Sequence, residues 1–109
     1  MKTKAFILAI TIIFILSTII SCSGGNDDNT LIVGMELKYP PFETIDSDGN
    51  PQGISVDIAN KLGEYLNRPV KIENIEFSGL IASLQTKKID LIISSMTINE
   101  TRRQTIDFS

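Results

Sequence analysis

The chain has no histidine, no tryptophan and one cysteine, Cys22. Without histidine it lacks the commonest metal ligand and the usual general base near neutral pH. One cysteine cannot close an internal disulfide. An excess of basic charge is also missing: 10 basic residues against 13 acidic ones give a net charge of −3 and no basic stripe, which excludes an electrostatic nucleic-acid surface. Neither a metal nor a cofactor is expected. Asp46, Asp48 and Asn50 imitate the opening of a calcium loop, but the remaining ligands and the distal glutamate of an EF-hand are not in position. The 109 residues, 42% apolar and 21% charged, suffice for one small globular domain.

The long apolar run lies at the N-terminus. Met1-Lys2-Thr3-Lys4 is basic, and Ala5 to Ile20 is broken only by Thr11, Ser17 and Thr18. It is short for a membrane span of about 20 residues and long enough for a signal-peptide core. Ser21-Cys22-Ser23-Gly24-Gly25 follows, the pattern of a bacterial lipoprotein cleavage site in which Cys22 becomes the lipidated first residue. Ile19 and Ile20 depart from the usual leucine and small residue before such a cysteine. The alternative is an uncleaved signal anchor. Residues 1–21 are thus read as a lipoprotein signal peptide and 22–30 as a flexible, Gly- and Asn-rich tether to the membrane. Cleavage would remove Lys2 and Lys4, leaving 8 basic against 13 acidic residues.

Leu31 to Met35 is a continuous apolar run, as in a buried parallel strand. Two prolines, Pro40 and Pro41, stiffen the following loop and place Tyr39 and Phe42 beside the strand end. A polar turn at Asp46 to Pro51 sits within a hairpin-like segment. Ser55 to Leu66 reads as a helix capped by Ser55, with Val56, Ala59, Leu62 and Leu66 on one face, stopped by Asn67-Arg68-Pro69. Val70 to Ile75 alternates as a strand nearer an edge. Ser78 is placed to cap a second helix through Leu80, Ile81 and Leu84 to Lys87-Lys88, and Ile89 to Ile93 forms a third strand. Thr105 to Ser109 reads as the start of another.

Strand–helix–strand–helix–strand predicts an α/β fold: a parallel sheet with helices on both faces. Ligands of such sheets bind beyond the carboxyl ends of the strands. Three features fall there: Glu36 to Phe42, Phe77, and Ser94-Ser95-Met96-Thr97-Ile98-Asn99-Glu100-Thr101-Arg102. The last joins hydroxyls, a helix start capped by Asn99 and a guanidinium fork, the chemistry of a carboxylate-binding site. The plain alternative is an ordinary strand–loop–helix joint with a surface arginine.

These pieces, taken in order, resemble the bacterial extracellular solute-binding proteins of the polar amino-acid type that serve ABC importers. The resemblance is carried by Gly34 to Phe42, Gly53 to Ala59, Phe77 to Ile81, Leu84 to Ile92, Met96 to Arg102 and Ile106 to Ser109. It implies part of lobe 1 of a periplasmic-binding-protein-like (type II) fold over residues 31–109. By the same resemblance Arg102 grips a ligand's α-carboxylate, joined by the Thr97 backbone N–H and hydroxyl. The Ser95 carbonyl takes the α-ammonium, Ser94 faces the side chain, Tyr39 and Phe77 sandwich the ligand, and Glu36 meets a polar side chain. The implied partners are an amino-acid ligand, ABC transporter permease subunits and, through Cys22, a membrane facing the periplasm or cell exterior.

In that family two lobes close on the ligand, and this chain is expected to end within the first. It is therefore expected to be a truncated form, marginally stable and a poor binder on its own. Two other readings use the same architecture: a sensor module outside a membrane receptor, and a cyclohexadienyl-dehydratase-like enzyme with Glu36 as its acid. With no histidine and no further catalytic constellation visible, a binder rather than an enzyme is expected.

Overall fold

The computed structural model describes residues 29–109. The signal peptide, Cys22 and all of the tether but Asn29 and Thr30 lie outside the described residues. Five strands and three α-helices follow: β1 (Leu31–Met35), β2 (Thr44–Ile45), β3 (Pro51–Gln52), α1 (Ile54–Leu66), β4 (Val70–Asn74), α2 (Leu80–Gln85), β5 (Leu91–Ile92) and α3 (Glu100–Arg103). A 3-10 turn at Phe77–Gly79 leads into α2. Among the described residues no helix is long and apolar enough to cross a membrane.

The main sheet is parallel, in the order β4-β1-β5. β1 is central, as its unbroken apolar run requires, and β4 is the alternating edge strand. Side chains alternate across a strand, so β1 serves two layers. Leu31, Val33 and Met35 pack with Val56 and Ala59 of α1 and with Leu37. On the opposite face, a Cβ at Gly34 would collide with the Ile89 side chain and press on Leu80 of α2. Helices thus cover both faces. β2 and β3 form a separate antiparallel hairpin. At its turn the Asp46 carboxylate accepts the backbone N–H groups of Asp48 and Asn50 at 2.9 and 2.8 Å. Those bonds, that of Asn50 foremost, hold its carboxyl below the ordinary carboxylate value. The aspartate serves the turn itself, and among the described residues no group of acids is placed to hold a metal.

Five local expectations are corrected. Ser55 is not the cap of α1. Gly53 holds that position, and the Ile54 and Ser55 N–H groups donate to the Pro41 and Phe42 carbonyls at 3.4 and 2.8 Å. Backbone from a distant loop thus fills the role expected of a local hydroxyl. Leu66 is 43% exposed. The buried face of α1 instead runs through Gly63, where a Cβ would clash with Val70 and the Arg68 carbonyl. Ser78 lies inside the 3-10 turn, whose last residue, Gly79, precedes α2 with helical dihedrals, so no side-chain cap forms. The two lysines fall past the end of α2, which closes through the left-handed Lys87. Finally, Thr105 to Ser109 forms no strand. The Thr105 and Ile106 N–H groups both donate to the Arg102 carbonyl at 3.0 Å, spending on the end of α3 the bonds a ladder would need.

Candidate functional site

The sheet geometry gathers the site at the carboxyl ends of the strands. The loop leaving β1 is tied to both neighbours: the Glu36 N–H donates to Ser94 Oγ at 2.9 Å, and the Leu37 N–H to Asn74 Oδ1 at 3.1 Å. This draws the loop over the strand ends and leaves a cavity of about 250 Å³, lined by Glu36, Lys38, Tyr39, Glu43, Phe77, Ser94 and Ser95. Five of the seven expected site residues therefore share one cavity. The remaining two, Thr97 and Arg102, flank it. The Arg102 guanidinium carbon stands 5.3 Å from the centre of the Phe77 ring, and Nη1 donates to the Thr97 carbonyl at 2.6 Å. The Asn99 side chain accepts the Arg102 N–H at 2.9 Å, so the expected cap forms.

Arg102 is thus oriented by an aromatic face and a carbonyl. Among the described residues no carboxylate pairs with it. Among the described residues only one of its five side-chain donors is engaged, and a guanidinium in that condition suits a bidentate carboxylate. Tyr39 stacks on Phe42 rather than on Phe77, with ring centres 5.5 Å apart and an interplanar angle of 16°. Ser95 adopts a left-handed backbone, φ 47°, uncommon for a residue with a Cβ and frequent where a loop is held for binding.

Two cavity residues carried no expectation from the sequence. Lys38 reaches across the mouth to Glu76, with Glu36 Oε1 at 4.0 Å. The bond to Glu76 raises the Lys38 ammonium above its ordinary value and holds the Glu76 carboxyl below its own. Glu43 is more consequential. It is 1% exposed, and its carboxylate accepts three hydroxyls from two segments: Ser55 and Ser95 on Oε2 at 2.5 and 3.2 Å, and Ser94 on Oε1 at 3.4 Å. An acid directly after Pro-Pro-Phe, in a chain with serines at two other element ends, was the available signal.

Residues 31–109 match the family model described as bacterial extracellular solute-binding proteins, family 3. The chain is 43% identical over 82 residues to the L-arginine-binding protein of Pseudomonas aeruginosa, covering 75% of this chain and 32% of that protein. It is 35% identical over 106 residues to the lysine/arginine/ornithine-binding periplasmic protein of Escherichia coli, covering 97% and 40%. The chain thus spans well under half the length of these curated relatives. Among solved structures it is similar to the arginine-bound form of domain 1 from TmArgBP of T. maritima, with a TM-score of 0.73 and 47% identity over 74% of this chain and 63% of that one.

Proposed function

The chain belongs to the bacterial extracellular solute-binding proteins, family 3, and on that premise we propose that it captures an L-amino acid for an ABC importer by gripping the α-carboxylate. The observation that carries the reading is Arg102, paired with no carboxylate among the described residues and set over Phe77 at the edge of the cavity. In this reading Arg102 forks the α-carboxylate with the Thr97 backbone beside it, and the Ser95 carbonyl receives the α-ammonium. Tyr39 and Phe77 bracket the ligand, and Ser94 and Glu36 face its side chain. Such a slot offers a cationic donor at one end and a carbonyl acceptor at the other, which suits the two ends of a zwitterion. The relatives described above are named for amino acids they bind, which favours a binder over a dehydratase.

Domain 1 of TmArgBP carries arginine in its own structure. This supports binding by one lobe and speaks against the expectation that a single lobe binds poorly. Titration calorimetry of the purified chain with the twenty L-amino acids is expected to give a saturable 1:1 isotherm with at least one cationic or amide amino acid. Flat heats across the whole panel would sink the reading.

Cys22, between an apolar run and a polar tether, is proposed to be acylated and to hold the domain at the membrane face where permease subunits sit. The intact mass of the membrane-extracted protein is expected to start at Cys22 and to carry acyl chains. A mass that retains residues 1–21 would refute the anchor.

A further inference from the structure

We propose that Glu43 sets the ligand class by turning the hydroxyls of Ser94 and Ser95 into acceptors, so that the cavity receives a hydrogen-donating cationic side chain, an ammonium or guanidinium, and rejects one that ends in an acceptor. The inference rests on the amino-acid-binding reading above and narrows it.

The argument is one of proton counting. A serine hydroxyl has one proton and two lone pairs, and an ionised carboxylate only accepts. Glu43 lies beneath the cavity with no cation bonded to it among the described residues. Its two oxygens take the single protons of Ser55, Ser94 and Ser95. Ser94 then has only lone pairs to offer, and one of them already receives the Glu36 N–H. Ser95 likewise turns lone pairs outward. Both serines line the cavity, so its floor is acceptor-only, although hydroxyls as a class could donate. Glu36 adds a second carboxylate on the same wall, while Lys38 is engaged by Glu76 at the mouth. A carbonyl or carboxylate set on this serine floor would meet lone pairs with no proton between them, away from the Tyr39 hydroxyl and the Lys38 ammonium on the other walls, and a buried acceptor left without a donor is costly. A guanidinium or ammonium would find acceptors in waiting. Glu43 thereby acts on the ligand through the serines, as a positioning residue.

Arginine and citrulline test this directly, since they share shape and differ in a terminal nitrogen donor against a carbonyl oxygen. The chain is expected to bind arginine about a hundredfold more tightly than citrulline, a ratio equivalent to one unmet hydrogen bond to a charged partner. In Glu43→Gln the amide donates to one serine and frees that hydroxyl proton for the cavity, so the ratio is expected to fall at least about tenfold whatever happens to absolute affinity. An unchanged ratio would overturn the proposal, because loss of structure alone weakens both ligands together. Should Glu43→Gln not fold, Ser95→Ala is decisive. It is expected to weaken arginine several-fold and leave citrulline unchanged, whereas a larger loss for citrulline would show the hydroxyl donating into the cavity. Tighter binding of glutamate than of arginine by the parent chain would overturn this inference and leave the amino-acid reading standing. A parent that binds nothing would remove both.

Discussion

Arg102→Ala is expected to weaken amino-acid binding by about a hundredfold or more while the fold stays intact. Truncating one partner of a desolvated, hydrogen-bonded charge pair typically costs about 2–5 kcal/mol, because the surviving charge is left without compensation. Here the survivor would be the ligand's carboxylate. The guanidinium is already set by the Phe77 ring at 5.3 Å and the Thr97 carbonyl at 2.6 Å, so little ordering remains to be done on binding. Stability has much less at stake. α3 is four residues long and buries none of them, and the Asn99 cap acts on the Arg102 backbone rather than its side chain. The loss of the ring contact is worth about 1 kcal/mol. Arg102→Lys separates charge from geometry: an ammonium retains the charge but not the fork, and recovery of less than a tenth of the affinity is expected. Calorimetry paired with a thermal melt checks both halves. An affinity within threefold of the parent, at an unchanged melting temperature, would remove Arg102 from the site.

The elements that could be read from the sequence are those governed by near neighbours. The run Leu31 to Met35 announced a buried strand, the alternation of Val70 to Ile75 a strand nearer an edge, and Asn99 the start of α3, because burial on two faces, burial on one, and a cap three residues away each leave a local pattern. What escaped was set by contacts far along the chain. Ser55 looked like a cap, but its hydroxyl is committed to Glu43 twelve residues earlier, and the cap comes from the Pro41 and Phe42 carbonyls. Glu43 itself sits at the end of the proline loop and carried no expectation. It is buried because Ser94 and Ser95, some fifty residues later, arrive at the same strand end. Thr105 to Ser109 had the apolar alternation of a strand, but its first N–H groups close a helix end instead. In the site, the resemblance located five of the seven lining residues, yet it said nothing of how the hydroxyl protons are disposed. That depends on a buried acceptor no local rule could find.

Gly53→Ala is expected to be the most damaging small substitution in the domain. Gly53 has φ 120° and ψ 178°, a region open in practice to glycine alone. A Cβ there would overlap the Phe42 carbonyl oxygen and lie 2.8 Å from the Pro41 carbonyl oxygen. Those two carbonyls cap α1, so the methyl group and the cap compete for one place. Neither backbone can give way cheaply: moving the loop uncaps the helix, and moving the helix strips Val56 and Ala59 from the core. Backbone strain of about 1–3 kcal/mol and the loss of a cap worth about 1 kcal/mol set the scale at roughly 2–4 kcal/mol. A domain of about 80 residues has only about 4–12 kcal/mol to lose. Gly49→Ala is the control. It also has positive φ, 87°, but open space around the added carbon, and is expected to cost about 1 kcal/mol. Urea denaturation of the two variants separates steric overlap from backbone preference. The same loop carries Tyr39 and Glu43, so any folded Gly53→Ala protein is expected to bind its amino acid more weakly as well. Equal midpoints for the two variants would mean that the Pro41–Phe42 loop is not fixed against α1, and the floor of the cavity would lose its support.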